Sequence, residues 1–180
     1  MLIRIGDEKR EMINAHIDVL KTKIVTQSAW VDDTEEILLQ TLIKVIQNLP
    51  HKVFVYGALM GLIACESPEI CRKLVNDVVN STISTSLLKE QDAFGSRNVF
   101  RWLSYLVYLR AVSPQAAIGF LTHLLQEQVK NEASFQRDVV LDCIFTFLLC
   151  QDTHAQLMNC PDKQAYLALM NQLNLIMQKR

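Results

Sequence analysis

The sequence predicts an all-α fold, an α-α superhelix of antiparallel helical hairpins of the HEAT-repeat kind, with about eight helices. Nearly every segment spaces its apolar residues three and four apart, as a helix does, and no segment sustains the alternation of a strand. Glycine and proline are rare, at five and four residues of 180, so little interrupts the helices. Helices also recur at a nearly constant interval, which indicates stacked repeats.

Capping residues and first-turn prolines mark where the helices begin. Asp33 and Glu36 have the spacing of a capping box. Ser67-Pro68 and Ser113-Pro114 each place a capping hydroxyl before a first-turn proline. Further starts are marked by Pro50, Ser134 and Pro161. The eight predicted helices begin near Asp7, Thr34, Pro50, Pro68, Arg97, Pro114, Phe135 and Asp162.

Taken in pairs, these helices predict a repeat. The first members begin near residues 7, 50, 97 and 135, a period of roughly 40–47 residues, which is the spacing of HEAT and armadillo repeats. One amphipathic hairpin cannot bury its apolar face alone, whereas stacked hairpins share a core. Residues 90–97 form the longest segment with a weak helical pattern and are predicted to be a short polar loop. No inter-domain linker is evident. We therefore expect one helical-repeat domain over residues 1–180, the first domain of a longer protein.

Three of the predicted helices show clear apolar stripes. The stripes are Val99, Trp102, Leu103, Leu106, Val107 and Leu109; then Ile118, Leu121, Leu124 and Leu125; then Leu169, Met170, Leu173, Ile176 and Met177. The segment from Leu49 to Ile63 is apolar on more than one side and carries Gly57 and Gly61 four residues apart. It predicts a short buried helix that another helix approaches closely, since it is too short and too polar at its start for a membrane span.

Composition excludes several classes of protein. A net charge of −1 gives no overall attraction to nucleic acid or anionic lipid. No apolar run reaches the roughly 18 residues of a membrane span, and the first residues do not form a signal peptide. The five cysteines are odd in number and lack a CxxC pair, so we expect reduced, buried thiols in the cytosol or nucleus.

The sequence predicts no catalytic residues, no cofactor and no metal. One partial zinc set is present, Cys150, His154 and Cys160 with Asp152 between them, but structural zinc prefers four ligands at tighter spacing. A helix end followed by a loop explains these residues better. The histidines are scattered and no nucleophile signature surrounds them: His16, His51, His123 and His154.

The best candidate for a partner-binding surface lies on the helix from Arg97. Five of its residues share the face opposite the apolar stripe: Arg97, Arg101, Ser104, Tyr105 and Tyr108. Arginine beside tyrosine is typical of protein interfaces and of sites for single-stranded nucleic acid. The structural interpretation is favoured: both tyrosines are half-buried between repeats and Arg101 pairs with an acidic neighbour.

Leu49-Pro50-x-Lys52 followed by Tyr56-x-x-Leu59-x-Gly61-Leu62 is similar to the second-repeat helix of the large subunit of the nuclear cap-binding complex. Arg101-x-Leu103-Ser104-x-Leu106-Val107 resembles the following repeat, and Arg137-Asp138 falls at its arginine–aspartate pair. The opening Leu2-Ile3-x-x-Gly6 resembles the start of the first domain. The chain departs from the pattern at Val139, where tryptophan is expected, and at Leu149-Cys150, which replaces a proline–tryptophan turn.

The resemblance implies a MIF4G domain, a stack of helical hairpins with no enzyme activity. In that family the large subunit holds a small cap-binding subunit with an RNA-recognition fold, mainly through later domains, and so meets capped RNA indirectly. The complex recruits splicing, export and decay factors. The resemblance also implies a nuclear protein that shuttles to the cytoplasm and has no membrane partner. Two alternatives stay open: a MIF4G scaffold that docks an RNA helicase in translation or decay, and direct RNA binding through the Arg97–Tyr108 face.

Overall fold

The computed structural model describes residues 10–26, 32–87, 92–130 and 134–178. These residues are almost entirely helical and contain no β-strand, so the predicted all-α, helical-repeat-like fold is confirmed. Nine α-helices are present within these ranges, one more than predicted. They are α1 (Arg10–Thr26), α2 (Asp32–Asn48), α3 (Val53–Glu66), α4 (Pro68–Ser81), α5 (Ala93–Tyr108), α6 (Pro114–Lys130), α7 (Ser134–Leu148), α8 (Gln151–Met158) and α9 (Lys163–Gln178).

The repeat is visible in how alternate helices pack. Helices α1, α3, α5 and α7 pack against one another in that order. They begin at Arg10, Val53, Ala93 and Ser134, so successive starts lie 43, 40 and 41 residues apart. This spacing is more even than the predicted one, because α5 begins earlier than expected, and it falls within the range of HEAT and armadillo repeats.

Contacts between neighbouring helices also keep a constant offset in sequence. Gly57 of α3 lies against Tyr105 of α5, and one turn later Gly61 lies against Leu109. Both pairs are 48 residues apart and advance together, so α3 and α5 run in the same direction. Ion pairs with a similar offset of 45 residues link α1 to α3 and α5 to α7: Lys21–Glu66 and Arg97–Asp142.

Helix α5 is the central helix of the stack and begins earlier than predicted. It packs against α2, α3, α7 and α8. The polar segment read as a loop up to Arg97 is helical from Ala93, and the Asp92 carboxylate caps it by accepting a hydrogen bond from the Gly95 amide at 2.9 Å. The prediction was wrong because Gly95, Ser96 and Asn98 are polar or small yet buried.

A contact from far away in sequence explains why these polar residues are buried. The Asn98 side chain donates a hydrogen bond to the Gln47 carbonyl of α2 at 2.7 Å. A Cβ atom at Gly95 would stand 3.2 Å from the Gln47 Cβ, so glycine allows α2 to approach. At its other end α5 is closed just after Tyr108: Arg110 has a left-handed φ of 61°, and the amides of Ala111 and Val112 donate to the Leu106 carbonyl.

Helix α8 is the one described helix that the sequence does not predict. Residues 151–158 were expected to be a loop after a helix end, but they form two turns of helix whose Thr153 and Leu157 are buried four residues apart. The Thr153 hydroxyl donates to the Ser104 carbonyl at 2.8 Å, and the Gln156 amide donates to the Tyr108 carbonyl at 2.7 Å. Such a short helix depends on these tertiary contacts rather than on its own propensity.

The predicted caps have mixed outcomes. Ser113 accepts a hydrogen bond from the Ala116 amide at 3.2 Å, which confirms it as a cap. The Ser67 hydroxyl makes no capping bond to α4. The Ser67 amide instead closes the preceding helix, α3, by donating to the Ile63 carbonyl. Pro50 opens a single 3₁₀ turn before α3, and residues 82–87 continue α4 as a π-helix. The capping role of Asp33 lies outside the described side chains.

The predicted apolar stripes largely form the core. Its largest fully buried side chains are Trp102, Tyr56, Tyr166, Phe100 and Phe147. Four stripe positions are less buried than predicted: Leu109, which lies against Gly61, Met170 and Ile176 are only partly buried, and Met177 is exposed near the end of α9. No helix in the part of the chain that the structure describes is both long and apolar enough to cross a membrane.

The cysteines all carry free thiols, but they are not all buried as predicted. Cys71, Cys143 and Cys160 are buried, Cys150 is partly buried and Cys65 is exposed. Burial raises the pKa of the Cys71 thiol to about 11 and that of the Cys143 thiol to about 12. Buried thiols of this kind are inert. Cys65 differs most from the prediction, because its thiol is exposed.

Candidate functional site

The predicted surface residues of α5 divide into an exposed group and a buried one. Arg97, Arg101 and Tyr108 are exposed, and Tyr105 is partly buried. Ser104, expected on the same surface, is fully buried beneath α8. Its hydroxyl lies 2.7 Å from the Arg101 carbonyl oxygen and 3.1 Å from the Cys150 Sγ. Its predicted place on the surface is therefore wrong, because α8, the helix that covers it, was not predicted.

The acidic partner expected for Arg101 belongs to Arg97 instead. Arg97 Nε lies 2.6 Å from an Asp142 carboxylate oxygen of α7, with both side chains about half exposed. Among the side chains that the structure describes, Arg101 forms no ion pair. The Arg97–Asp142 pair neutralises one of the two arginines, and an exposed pair of this kind contributes at most about 1 kcal/mol to stability.

The two tyrosines form a pair over the seam between α3 and α5. The ring centroids of Tyr105 and Tyr108 are 5.7 Å apart with the planes tilted by 42°. Tyr105 lies directly on Gly57, so glycine is what lets the ring occupy the seam. The predicted half-burial of Tyr105 between repeats is confirmed, while Tyr108 remains 41% exposed.

An open groove of about 520 Å³ lies beside this seam, between α1, α3 and the end of α5. Ala58 and Gly61 of α3 are its smallest lining residues, and Ile17, Leu62 and Leu109 contribute its apolar surface. The remaining lining residues are Asn14, Asp18 and Cys65. No residue of α1 was predicted to take part in a functional site. The sequence of α3 does contain a pattern that could have indicated the groove. Apolar or small residues fall on one helical stripe at Phe54, Ala58, Gly61, Leu62 and Cys65.

Three charged side chains stand at one end of this groove. Lys21 Nζ lies 2.5 Å from a Glu66 carboxylate oxygen and 3.8 Å from an Asp18 oxygen. Hydrogen bonding to Glu66 is the main reason that the pKa of Lys21 is raised. One ammonium thus faces two carboxylates, so these three side chains together carry a net charge of −1.

The residues weighed as a zinc set have other partners. His154 Nδ1 lies 2.6 Å from the Tyr166 hydroxyl, the buried Cys160 thiol faces the Leu157 carbonyl at 3.0 Å, and Cys150 lies against Ser104. Desolvation raises the pKa of Tyr166. No group of three or more metal-ligating side chains occurs among the described residues, which do not include the Asp152 side chain.

The remaining histidines lie on separate elements. His16 is on α1, His51 is in the 3₁₀ turn and His123 is on α6. His123 lines an open groove of about 480 Å³ between α6 and α9, with Asp162 and Thr122. All these groups are exposed or half-exposed, so this second groove offers no desolvated acid, base or nucleophile.

The residues that carry the family resemblance are mostly packing residues. Tyr56 and Leu59 of α3 are fully buried, and Lys52 is buried in the turn before them. In α5, Leu103, Leu106 and Val107 are buried in the stack. The Nε of Arg137 is buried without a hydrogen-bond partner. Of the two departures, Val139 is buried and Leu149 is highly exposed.

Comparisons with known proteins do not place the chain in a family. No protein-family model, no curated protein and no solved structure matches it.

Proposed function

We propose that the chain is a non-enzymatic scaffold, the first MIF4G-type domain of a nuclear cap-binding large subunit. The proposal rests on the positions of the residues that resemble the cap-binding large subunit. They concentrate in α3 and α5, at the contacts that hold the first helices of the repeats together. A scaffold depends on the residues that hold its repeats together rather than on a cluster of reactive groups.

The exposed chemistry of α5 supports a protein partner rather than RNA. Asp142 neutralises Arg97, and the nearby groove ends in two carboxylates and one ammonium. A phosphate backbone requires several cations along one surface. Arg101 with the Tyr105–Tyr108 pair instead fits a protein interface, where arginine and tyrosine are enriched.

In this role the domain works by binding. The parent protein holds the small cap-binding subunit, mainly through other domains, and meets capped RNA through that subunit. This domain offers surfaces to RNA-processing and export factors. Its place is the nucleus, with shuttling to the cytoplasm.

A pull-down with the full-length gene product tests the proposal. The protein is expressed in its source cells and passed over 7-methylguanosine resin, with elution by free cap analogue. We expect recovery together with a small protein of RNA-recognition fold. Failure to recover such a partner contradicts the proposal, and recovery of an RNA helicase without cap dependence favours the other kind of MIF4G scaffold.

A further inference from the structure

We propose that the groove between α1, α3 and the end of α5 binds a short protein segment that carries an aliphatic or aromatic side chain next to a lysine or arginine. The inference rests on the proposed role as a protein-binding scaffold and names one of its sites and the chemistry of the occupant. It does not depend on cap binding.

The shape of the groove fits an inserted side chain. Its volume of about 520 Å³ lies within the roughly 300–1,000 Å³ range of ligand sites. Ala58 and Gly61 leave room where larger residues would fill it. A Cβ atom at Gly61 would stand 3.2 Å from the Leu109 Cδ1, so glycine also sets how closely the end of α5 approaches.

The composition of α3 indicates that this side of the helix is meant to be covered. From Val53 to Cys65 the helix contains no charged residue, and it is apolar on every side. A helix that is apolar all round is normally buried on all sides. Yet Phe54 is 55% exposed and Leu62 is 40% exposed, on the same stripe as Ala58 and Gly61. The uncovered stripe supplies the apolar half of the binding site.

The charges at the end of the groove determine which partner fits. Lys21 is largely buried between its neighbours, whereas the Asp18 side chain is 66% exposed and only 3.8 Å from that single ammonium. An incoming lysine or arginine would complete the charge balance, and an anion would be repelled. This argues for an apolar segment with an adjacent basic residue, and against RNA or an acidic peptide.

Selection from a randomised peptide library displayed on phage, panned against the intact chain, tests the inference. We expect the selected peptides to share an aliphatic or aromatic residue beside a basic one. Synthetic copies should lose about tenfold or more in affinity with Asp18→Lys, because a rim charge is reversed. Leu62→Glu should cause a similar loss, because a charge enters the apolar groove.

Two matched variants serve as controls. Glu69→Lys reverses another exposed carboxylate, on α4, and Leu175→Glu changes another exposed leucine, on α9. Both should leave the affinity unchanged. Cys65 gives an independent readout: a peptide in the groove should slow its alkylation, while the partly exposed Cys150 outside the groove keeps its rate.

Several outcomes would overturn the inference. These are selected peptides without a basic preference, affinities that Asp18→Lys and Leu62→Glu leave intact, displacement of the peptide by single-stranded RNA, or a dimer of the chain that Leu62→Glu dissolves. Failure of the peptides while the cap-resin complex forms would reject only the groove. Loss of cap-resin recovery with intact peptide binding would reject only the cap-binding role.

Discussion

The ring of Tyr105 lies against Gly57 so closely that a Cβ atom there would stand 2.5 Å from the ring carbon Cδ1. Because no such contact can persist, any side chain at position 57 must displace the ring or separate α3 from α5. The same seam contains Gly61 against Leu109, one turn further along. The glycine pair therefore sets the spacing between two neighbouring repeats.

Gly57→Ala should lower stability, and Gly119→Ala should not. At Gly57 the new methyl group overpacks the seam, which typically costs about 1–3 kcal/mol. Gly119 is helical, and a Cβ there meets nothing within 4 Å, so alanine should stabilise α6 by about 0.5–1 kcal/mol. Urea unfolding followed by circular dichroism measures both. Equal effects of the two substitutions would show that Gly57 does not set the crossing.

Thr153→Val should weaken the attachment of α8 to α5. It removes the hydrogen bond to the Ser104 carbonyl from a buried site, for an expected loss of about 1–2 kcal/mol. The matched change Thr146→Val removes only a bond to the Asp142 carbonyl of its own helix and should cost less. Hydrogen exchange should show faster opening of residues 151–158 in the first variant alone. Unchanged exchange there would mean that other contacts hold α8.

Stability should fall as pH rises above about 9.0, the ordinary pKa of a cysteine thiol. Burial raises the pKa of Cys71 to about 11 and that of Cys143 to about 12. Because the unfolded chain loses these protons first, the stabilisation is complete below pH 9.0 and declines as pH rises through the folded-state values. Urea midpoints across this range should show the decline. Cys71→Ala should flatten it, and an unchanged slope would rule out this thiol as a cause.

RNA binding through α5 should be weak. We expect Arg101→Ala combined with Tyr108→Ala to leave the affinity for single-stranded RNA and its salt dependence unchanged, because Asp142 already neutralises the neighbouring Arg97. Fluorescence anisotropy at several salt concentrations measures both quantities. A clear loss of affinity with a shallower salt slope would instead support the RNA-binding alternative.

The sequence predicted those elements whose stability is local and periodic. The stripe through Trp102 and Leu106 and the cap at Ser113 were read correctly, because spacing and capping chemistry act within a few residues. The start of α5 was missed because Asn98 is buried through a bond to Gln47, 51 residues away. Helix α8 was missed because its stability comes from α5.

The candidate site was only partly predictable for the same reason. The face from Arg97 to Tyr108 could be placed on one helix, but its ion pair with Asp142 required the packing of α7. The groove needs Asp18 and Leu109 brought to the same side of α3, and nothing local in the sequence encodes that meeting. Sites between repeats therefore appear only once the stack is known.

The composition of the complex formed by the full-length gene product on 7-methylguanosine resin tests the scaffold assignment most directly. Intact-mass analysis of the cap-analogue eluate should show one copy of the product bound to one small subunit of RNA-recognition fold. An eluate that contains the product without such a subunit, or no product at all, would contradict the assignment.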